Sequence, residues 1–353
     1  MRTLIASAQL LGIAAFVSVG ATACTSSSAV PPTLGAASMP VSGPAGAAST
    51  IAVHGDRFQQ PTAQLDRQDR QTAKRAKPLL YVAGFAANAV FVYDQSEKSP
   101  AKPLYKITNG ISDPNGMATD TSGNLYVTNE LSNAVTIYPP GSQTPTETIT
   151  SGMNLPFDVA VDSSGDIFVA NDPSGQSPYI DEYLSGQTSP AYTWYPPQST
   201  STTITGLALA PAQTGATLEA TYYTSDQYGN PHGDLMQCYA GNPSCSNDGY
   251  SFGRTAGIAV ASAQPFDLLV ADQSAPGLWT LKVSNTKLLH TSYGPWFMAF
   301  NPSRTRLFVS DGGSEVFEYT YPRMKLKKTF IASGGYEGPF VTGVAVTPSG
   351  AFF

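Results

Sequence analysis

Short apolar runs alternate along the chain with turns rich in Gly, Ser, Asn and Asp. Residues 115 to 138, NGMATDTSGNLYVTNELSNAVTIY, give an apolar run, a Ser-Gly turn, a second apolar run, a polar turn and a third run. Runs of this kind, rich in Val, Tyr, Phe and Thr and bounded by turn formers, are typical of β-strands. The stretch therefore predicts three consecutive strands.

The same pattern of apolar runs and turns repeats six times along the chain. Aligned on the glycine that precedes each first run, the units are spaced by 42, 48, 51, 40 and 46 residues. They begin at Asn115, Phe157, Thr205, Ala256, Trp296 and Thr342. A period of about 40 to 50 residues that holds four strands is typical of a β-propeller blade. The sequence thus predicts an all-β fold, a six-bladed β-propeller.

The two ends of the repeat region complement each other. The last unit stops after TGVAVTPSGAFF, a first strand and a short remainder, whereas LLYVAGFAANAVFVYD at residues 79 to 94 gives a second and a third strand without a first. We expect residues 342 to 353 to supply the inner strand of a blade whose outer strands come from residues 79 to 107. Such closure leaves no open edge between first and last blades.

The N-terminus predicts export. Arg2 is followed by an uncharged apolar stretch over residues 4 to 19 and then by small residues, as in a signal peptide. ATA at 21 to 23 fits ordinary cleavage, whereas ATAC resembles a bacterial lipobox ending at Cys24, although Ala21 stands where Leu is usual. We expect acylation of Cys24 and a lipid-anchored protein of the bacterial cell envelope. A periplasmic or secreted protein is the alternative.

The expected domain boundaries follow from these signals. Residues 1–23 form the signal peptide, and residues 24–77, rich first in Ser, Ala, Pro and Gly and then in charged residues, form a tether that cannot bury enough apolar surface to fold. Residues 78–353 form the propeller. The membrane is expected to be reached through the lipid anchor only, and the protein is expected to be a monomer.

Composition and charge narrow the functional classes. Charged residues make up only 12% of the chain, and 19 basic against 25 acidic residues give a net charge of −6. Such a balance does not attract a phosphate backbone, so we expect no nucleic-acid partner. Of the three cysteines, Cys238 and Cys245 enclose six residues and are expected to form a disulfide after export, with two free thiols as the alternative.

Two stretches carry a family resemblance. DPNGMATDTSGNLYVTNELSNAVTIY and PFDVAVDSSGDIFVANDPSGQSPYIDEY resemble NHL-type repeats, and PNG followed by an apolar strand and SGNLYV is similar to the gluconolactonase and senescence-marker-protein family. Both resemblances imply a six-bladed propeller, with functions that range from lactone hydrolysis and cleavage of amidated peptides to protein or RNA scaffolding.

The gluconolactonase-like resemblance also implies a metal in the central channel, held by Glu and Asn or Asp just ahead of several inner strands. Of the six corresponding positions, only Asn115 matches that ligand pattern, and Glu337 in the EGP motif lies five residues before its aligned position. Calcium needs six to eight oxygen ligands. We therefore predict no metal and no cofactor, with Ca²⁺ as the alternative.

The same positions suggest a different site at the channel mouth. Phe157 and Trp296 would give apolar walls beside the polar groups of Asn115, Thr205 and Thr342, the usual composition of a small-molecule pocket. The alternative is that both aromatic rings plug the channel as core. In the fourth blade, residues 222–253 are expected to form a long irregular segment that presents a rigid surface to a partner.

The sequence patterns explain an anchor, a tether and a ring, but they do not include a recognisable set of catalytic residues. We therefore favour a binding or scaffold protein without catalytic residues. Its expected partner is a protein, a glycan or a small ligand. An exported hydrolase or lyase of the gluconolactonase-like class with a degenerate metal site is the alternative.

Overall fold

A computed structural model describes residues 78–197, 202–210, 215–225, 228, 230–263, 266–274, 277–280, 287–288, 294–332 and 340–347. The predicted signal peptide, Cys24 and the predicted tether lie outside these residues. The described residues form 24 strands, numbered here in chain order. None of the described residues belongs to a helix that is long and apolar enough to cross a membrane.

The strands form six four-stranded antiparallel sheets, which are the six predicted blades. The inner strands are β4 (Pro114–Thr119), β8 (Pro156–Val161), β12 (Thr202–Leu209), β16 (Thr255–Ala263), β20 (Met298–Phe300) and β24 (Val341–Val346). The second strands are β1 (Leu79–Gly84), β5 (Leu125–Asn129), β9 (Ile167–Asn171), β13 (Leu218–Ser225), β17 (Phe266–Asp272) and β21 (Arg306–Ser310).

The two outer strands of each blade complete the sheets. The third strands are β2 (Ala89–Asp94), β6 (Ala134–Tyr138), β10 (Tyr179–Tyr183), β14 (Pro231–Cys238), β18 (Gly277–Thr280) and β22 (Glu315–Thr320). The fourth strands are β3 (Tyr105–Ile107), β7 (Glu147–Ile149), β11 (Tyr192–Trp194), β15 (Ser246–Phe252), β19 (Lys287–Leu288) and β23 (Lys325–Ile331).

The first blade closes the ring as the chain ends predict. Its strand order is β24, β1, β2, β3, so the last described strand of the chain is the inner strand of the blade that holds the first. Tyr81 pairs with Ala345, and Val82 pairs with Val344. This pairing confirms the closing strand. We number the blades from this one onward in chain order.

The core is divided among the interfaces between blades. Each interface holds one cluster of buried apolar side chains, contributed by the two sheets that face each other. The first two strands of the first blade are buried at every position, because both faces of the sheet are covered by neighbouring blades. Continuous apolar runs such as LLYVAG are therefore required there, rather than alternation.

The Asn or Asp that ends most second strands fixes the connection into the inner strand of the same blade. The Oδ1 atom of Asn129 accepts a hydrogen bond from Ser112 N at 2.9 Å, and that of Asn171 accepts one from Asn154 N at 2.9 Å. Asp272 Oδ2 accepts one from Gly253 N at 3.0 Å. The periodic recurrence of this residue thus has a structural cause.

The fourth blade differs from its expected form. The segment over residues 222–253, expected to be irregular, consists largely of the end of β13 and the whole of β14 and β15, strands of seven or eight residues. Its polar residues tolerate strand pairing because β15 is an outer strand with most side chains exposed. The Cys238 and Cys245 sulfur atoms at its base are bonded at 2.01 Å.

Candidate functional site

The inner strands approach one another closely at one level of the ring. The second position of the repeat is Gly in four blades, at Gly116, Gly206, Gly257 and Gly343. A Cβ atom on Gly343 would lie 2.1 Å from Asn115 O, and one on Gly257 would lie 2.6 Å from Trp296 O. Glycine is therefore required for the strands to pack at this distance.

Two blades that face each other across the ring depart from this pattern. The second position is Asp158 in the third blade and Phe297 in the sixth. The ring of Phe297 packs against that of Phe157, with centroids 5.7 Å apart. Since the third and sixth blades are opposite, these two rings meet across the axis and block the channel at this level.

Asp158 is the buried acidic group beside this plug. Its Oδ1 accepts a hydrogen bond from Val159 N and its Oδ2 accepts one from Leu207 N, both at 2.8 Å, so it links the third and fourth inner strands. Burial raises the pKa of the carboxyl to about 7, although the two backbone donors act in the opposite direction. Asp158 is not among the residues predicted from the sequence to form a site, although it is the one charged residue at the glycine position of the repeat.

Of the residues predicted to form the channel mouth, Phe157 and Trp296 both pack against the apolar cluster between the sixth and first blades, and the polar ones make hydrogen bonds to neighbouring groups. Thr205 is buried and donates to Thr221 O at 3.3 Å, and Thr342 donates to Pro114 O at 2.9 Å. Trp296 packs edge-on against Phe340, with centroids 5.6 Å apart. Asn115 is also buried, and its side-chain amide donates to Glu130 Oε2 at 2.6 Å.

A pocket lies off the axis, above the third and fourth blades. Its volume is about 970 Å³. Its lining comes from residues that follow or precede the strands of the second, third and fourth blades: Glu130, Leu155, Phe157, Asp172, Pro173, Ser174, Gly175, Gln176, Ser177, Thr202, Thr203, Tyr223 and Ser225. We call it the off-axis pocket. Of the five residues predicted for the channel mouth, Phe157 is the one that lines this pocket.

The off-axis pocket is acidic. Burial raises the pKa of Asp172 to about 6, against the effect of its hydrogen bond with Thr203. The pKa of Glu130 is also raised, first by burial and then by the negative charges of Asp113 and Asp172, while the bond from Asn115 lowers it. No Lys or Arg is among the described residues that line the pocket, although the guanidinium of Arg254 lies over the ring of Tyr223, with its Cζ 5.4 Å from the ring centroid. The pocket thus favours ligands that carry positive charge or hydrogen-bond donors.

A second cavity, of about 490 Å³, occupies the channel on the other side of the plug. It is lined by the second halves of all six inner strands. Each blade contributes one alanine to it, at the fourth position of the repeat: Ala118, Ala160, Ala208, Ala259, Ala299 and Ala345. The small side chain at this position keeps the ring open, and the walls are mostly apolar.

The charges of the ring are segregated. Residues 107 to 253, which contain the second, third and fourth blades, have no Lys or Arg and 14 Asp or Glu. The rest of the region after residue 77 has twelve basic and eight acidic residues. We call these the acidic half and the basic half. The off-axis pocket belongs to the acidic half, and this signal was readable from the sequence although the net charge conceals it.

The metal site that the gluconolactonase-like resemblance implies does not fit these residues. The six aligned positions offer one amide, Asn115, whose nitrogen is directed at Glu130. Within the described part of the chain, no group of three or more His, Cys, Asp or Glu side chains is placed to hold a metal ion. Glu337 lies outside the described residues.

Comparisons with known proteins support the fold and nothing more specific. No family model matches the chain, and no curated protein matches it. Among solved structures, it is similar to a protein of unknown function from Bacteroides caccae, with a TM-score of 0.51 and 11% sequence identity. The match covers 77% of this chain and 99% of that protein. At this identity the similarity establishes shared architecture alone.

Proposed function

We propose that the chain is an exported, lipid-anchored binding protein whose ring recognises a small ligand with a cationic group. The off-axis pocket carries the proposal, because it combines two carboxylates with an aromatic ring from Phe157 and another from Tyr223. A protonated amine could donate hydrogen bonds to both Glu130 and Asp172, and the hydroxyls of Ser and Thr in the lining would accept its remaining hydrogen bonds.

Export and anchoring are supported by the N-terminal residues. Arg2, the apolar stretch and the ATAC sequence ending at Cys24 have the order that bacterial lipoprotein processing requires. Two or three acyl chains on Cys24 would hold the protein stably, whereas one chain binds a membrane only marginally. Mass spectrometry of the envelope fraction tests this: acylated Cys24 is expected, and an unmodified N-terminus contradicts anchoring.

Calorimetry with amines, neutral sugars and sugar acids tests the pocket. Binding is expected for amines, and Asp172→Asn or Glu130→Gln should weaken it about tenfold or more, because each removes a charge-assisted hydrogen bond. Glu147→Gln, an exposed carboxylate of the same half on β7, is the matched control and should leave the affinity unchanged. Preference for sugar acids, or an affinity that neither pocket variant alters, would refute this assignment.

Hydrolase or lyase activity of the gluconolactonase-like class is the second candidate. Asn115, in the position that matches the family's ligand pattern, lies in contact with the carboxylate of Glu130 at the channel mouth. That role requires stoichiometric Ca²⁺ or Zn²⁺ in the purified protein together with thermal stabilisation by the metal. Metal analysis of the purified protein therefore separates the two functions.

A further inference from the structure

The outer rim of the sixth and first blades is built from two chain segments side by side. β23 is the outermost strand of the sixth blade, and residues 98–102 of the first blade run beside it. Thr329 N donates to Ser99 Oγ, and Ala101 N donates to Thr329 O, both at 3.2 Å. These contacts make the two segments one continuous surface.

This surface is strongly basic. Five of its basic side chains are exposed and one, that of Arg306, is half-buried. We define the basic rim by these residues: Lys98, Lys102, Arg306, Arg323, Lys325 and Lys327. Over residues 95–104 and 321–331 the one acidic residue is Glu97. In a chain of net charge −6, such a concentration gives the molecule a marked electrical asymmetry.

A buried carboxylate at the base of the rim holds three cations in place. Glu318 is completely buried, and its oxygens lie 3.2 Å from Lys327 Nζ, 3.4 Å from Arg306 Nη1 and 3.8 Å from Lys328 Nζ. One negative charge therefore faces three positive charges, and the excess is directed outward at Arg306 and Lys327. The rim remains cationic after its internal ion pairs are formed.

Exposed aliphatic side chains accompany these charges. Leu326 is 43% exposed and stands between Lys325 and Lys327, and Ile331 at the end of the same strand is 39% exposed. Leu104, two residues after Lys102, is 50% exposed. Aliphatic groups among Lys and Arg suit the interface of an anionic bilayer, where acyl chains accept the former and headgroups the latter.

The chain leading to the N-terminus joins the ring beside this rim. Gln95 N donates to Pro78 O at 3.0 Å, and Gln95 O accepts a hydrogen bond from Lys328 Nζ. Gln95 thus connects Pro78, the first described residue, to Lys328, one of the three cations around Glu318. The preceding residues 57 to 77 add six basic residues against two acidic ones. The excess of basic residues therefore continues in the sequence ahead of Pro78.

We infer that the basic rim docks on a bilayer surface rich in anionic lipid headgroups. The charge complementarity, the exposed aliphatic side chains and the adjoining basic segment all favour this occupant. The third and fourth blades lie across the ring from the sixth and first, so docking would hold the off-axis pocket on the side away from the bilayer. The docking adds a protein surface to the proposed lipid anchor and does not depend on it.

Vesicle flotation with the chain from residue 24 onward, carrying Cys24→Ser, tests the inference without an acyl chain and without the apolar signal stretch. We expect binding to phosphatidylcholine vesicles that contain phosphatidylglycerol, loss of binding at high salt, and little binding to phosphatidylcholine alone. Lys98→Gln with Lys325→Gln removes two exposed charges and should lower the partition coefficient about tenfold to thirtyfold. Neither side chain supports the fold, so circular dichroism should be unchanged.

The matched control is Gln143→Glu with Gln187→Glu, two exposed turn residues of the acidic half. It changes the net charge by the same amount away from the rim, so binding should fall less than about twofold. An equal loss in this control would show that net charge alone decides binding and would overturn the proposal. Equal binding to neutral vesicles would also overturn it, as would binding of heparin or DNA without binding of anionic vesicles.

Discussion

The two halves of the ring bury carboxylates in opposite surroundings. In the acidic half, Asp158, Glu182 and Glu219 are buried where the sequence supplies no Lys or Arg, and burial raises the pKa of each. In the basic half, Glu318 is buried equally deeply but has three cations within 3.8 Å. The same blade architecture thus accepts a buried carboxyl group either without a cationic partner or as the centre of an ion cluster.

The two halves therefore differ in whether a buried carboxylate has a cationic partner. Ion pairing of the acidic half would require only a few Lys or Arg on neighbouring strands, as the sixth blade demonstrates. Over residues 107 to 253 the sequence has no Lys or Arg, and burial raises the pKa of both Glu130 and Asp172. Stability is therefore expected to respond differently in the two halves.

Ring closure gives the largest expected effect, and it belongs to the basic half. Deleting all residues from Thr342 onward removes most of β24, including Val344 and Val346, which are buried between blades. Burial of such side chains contributes about 1.5–3 kcal/mol each, and the deletion also exposes the edge of β1. We expect a loss of roughly 5 kcal/mol or more and no cooperative thermal transition.

The control for this deletion is removal of residues 1–77, which should leave the melting midpoint unchanged. Such a result would place the stability of the ring in the described strands. A cooperative transition at an unchanged midpoint after loss of β24 would show that closure contributes little.

Neutralising one buried glutamate in each half gives the next largest effect on the free energy of unfolding. Stability should fall for the glutamate of the basic half and should not fall for that of the acidic half. Glu318→Gln leaves Lys328 buried without its counter-ion, and breaking a buried pair in this way costs about 3–5 kcal/mol. Glu182→Gln removes a buried charge that has Asp162 and Asp166 as neighbours, so stability should be unchanged or slightly higher at neutral pH. Chemical denaturation of both variants measures the contrast.

A second substitution tests whether the unpaired Lys328 causes the loss of stability. Lys328→Met in the Glu318→Gln background should restore part of the lost stability, because the unpaired cation is then gone. Equal losses for Glu318→Gln and Glu182→Gln would mean that the surrounding cations do not matter.

The pH dependence of stability sharpens the comparison further. The pKa of Asp158 is raised in the folded protein, so the folded state binds more protons at this group than the unfolded state does. The contribution of Asp158 to the free energy of unfolding is therefore present at low pH and is lost as the pH rises toward about 7. Asp158→Asn cannot titrate, and its amide faces a backbone N–H donor at every pH, which lowers stability by about 1–3 kcal/mol. The gap between the wild type and this variant should therefore narrow by roughly 2–3 kcal/mol from about pH 5 to about pH 8. Parallel stability curves would contradict a titrating Asp158.

The smallest expected effect comes from adding a cation to the acidic half. Gln187 is an exposed turn residue beside Asp120, Glu147 and Asp162, which share a surface cavity with it. Gln187→Lys should raise the free energy of unfolding by about 0.3–0.5 kcal/mol at low salt, and the gain should vanish at high salt. Gln187→Met, of similar length and uncharged, is the control, and an equal gain there would point to packing rather than charge.

The fold was predictable because it rests on local signals that repeat. Short apolar runs and Ser-Gly turns set the strands, and the unmatched runs at residues 79 to 94 and after Thr342 revealed the closing pair. The fourth blade was misjudged because the polar outer strand Ser246–Phe252 lacks the apolar pattern that marks the others.

The site was less predictable because it depends on departures from the repeat. Asp158 stands where four of the other blades have Gly, and an alignment centred on the residue before it passes over the carboxylate. The off-axis pocket is formed by residues 172–177 and Tyr223, whose relative positions are set by connections of unequal length. Periodicity gives no information about these contacts.

The location of Pro78 gives the first blade a mechanical role. A pull on the chain ahead of Pro78 acts on β1, which lies between β24 and β2 and so carries the joint of the ring. The pull enters at Leu79 and Leu80, and Leu80 is the residue of β1 that pairs with Val346 at the end of β24. Force would therefore separate the strands one pair at a time, and the seam of the first blade would open before the five blades made from a single stretch of chain.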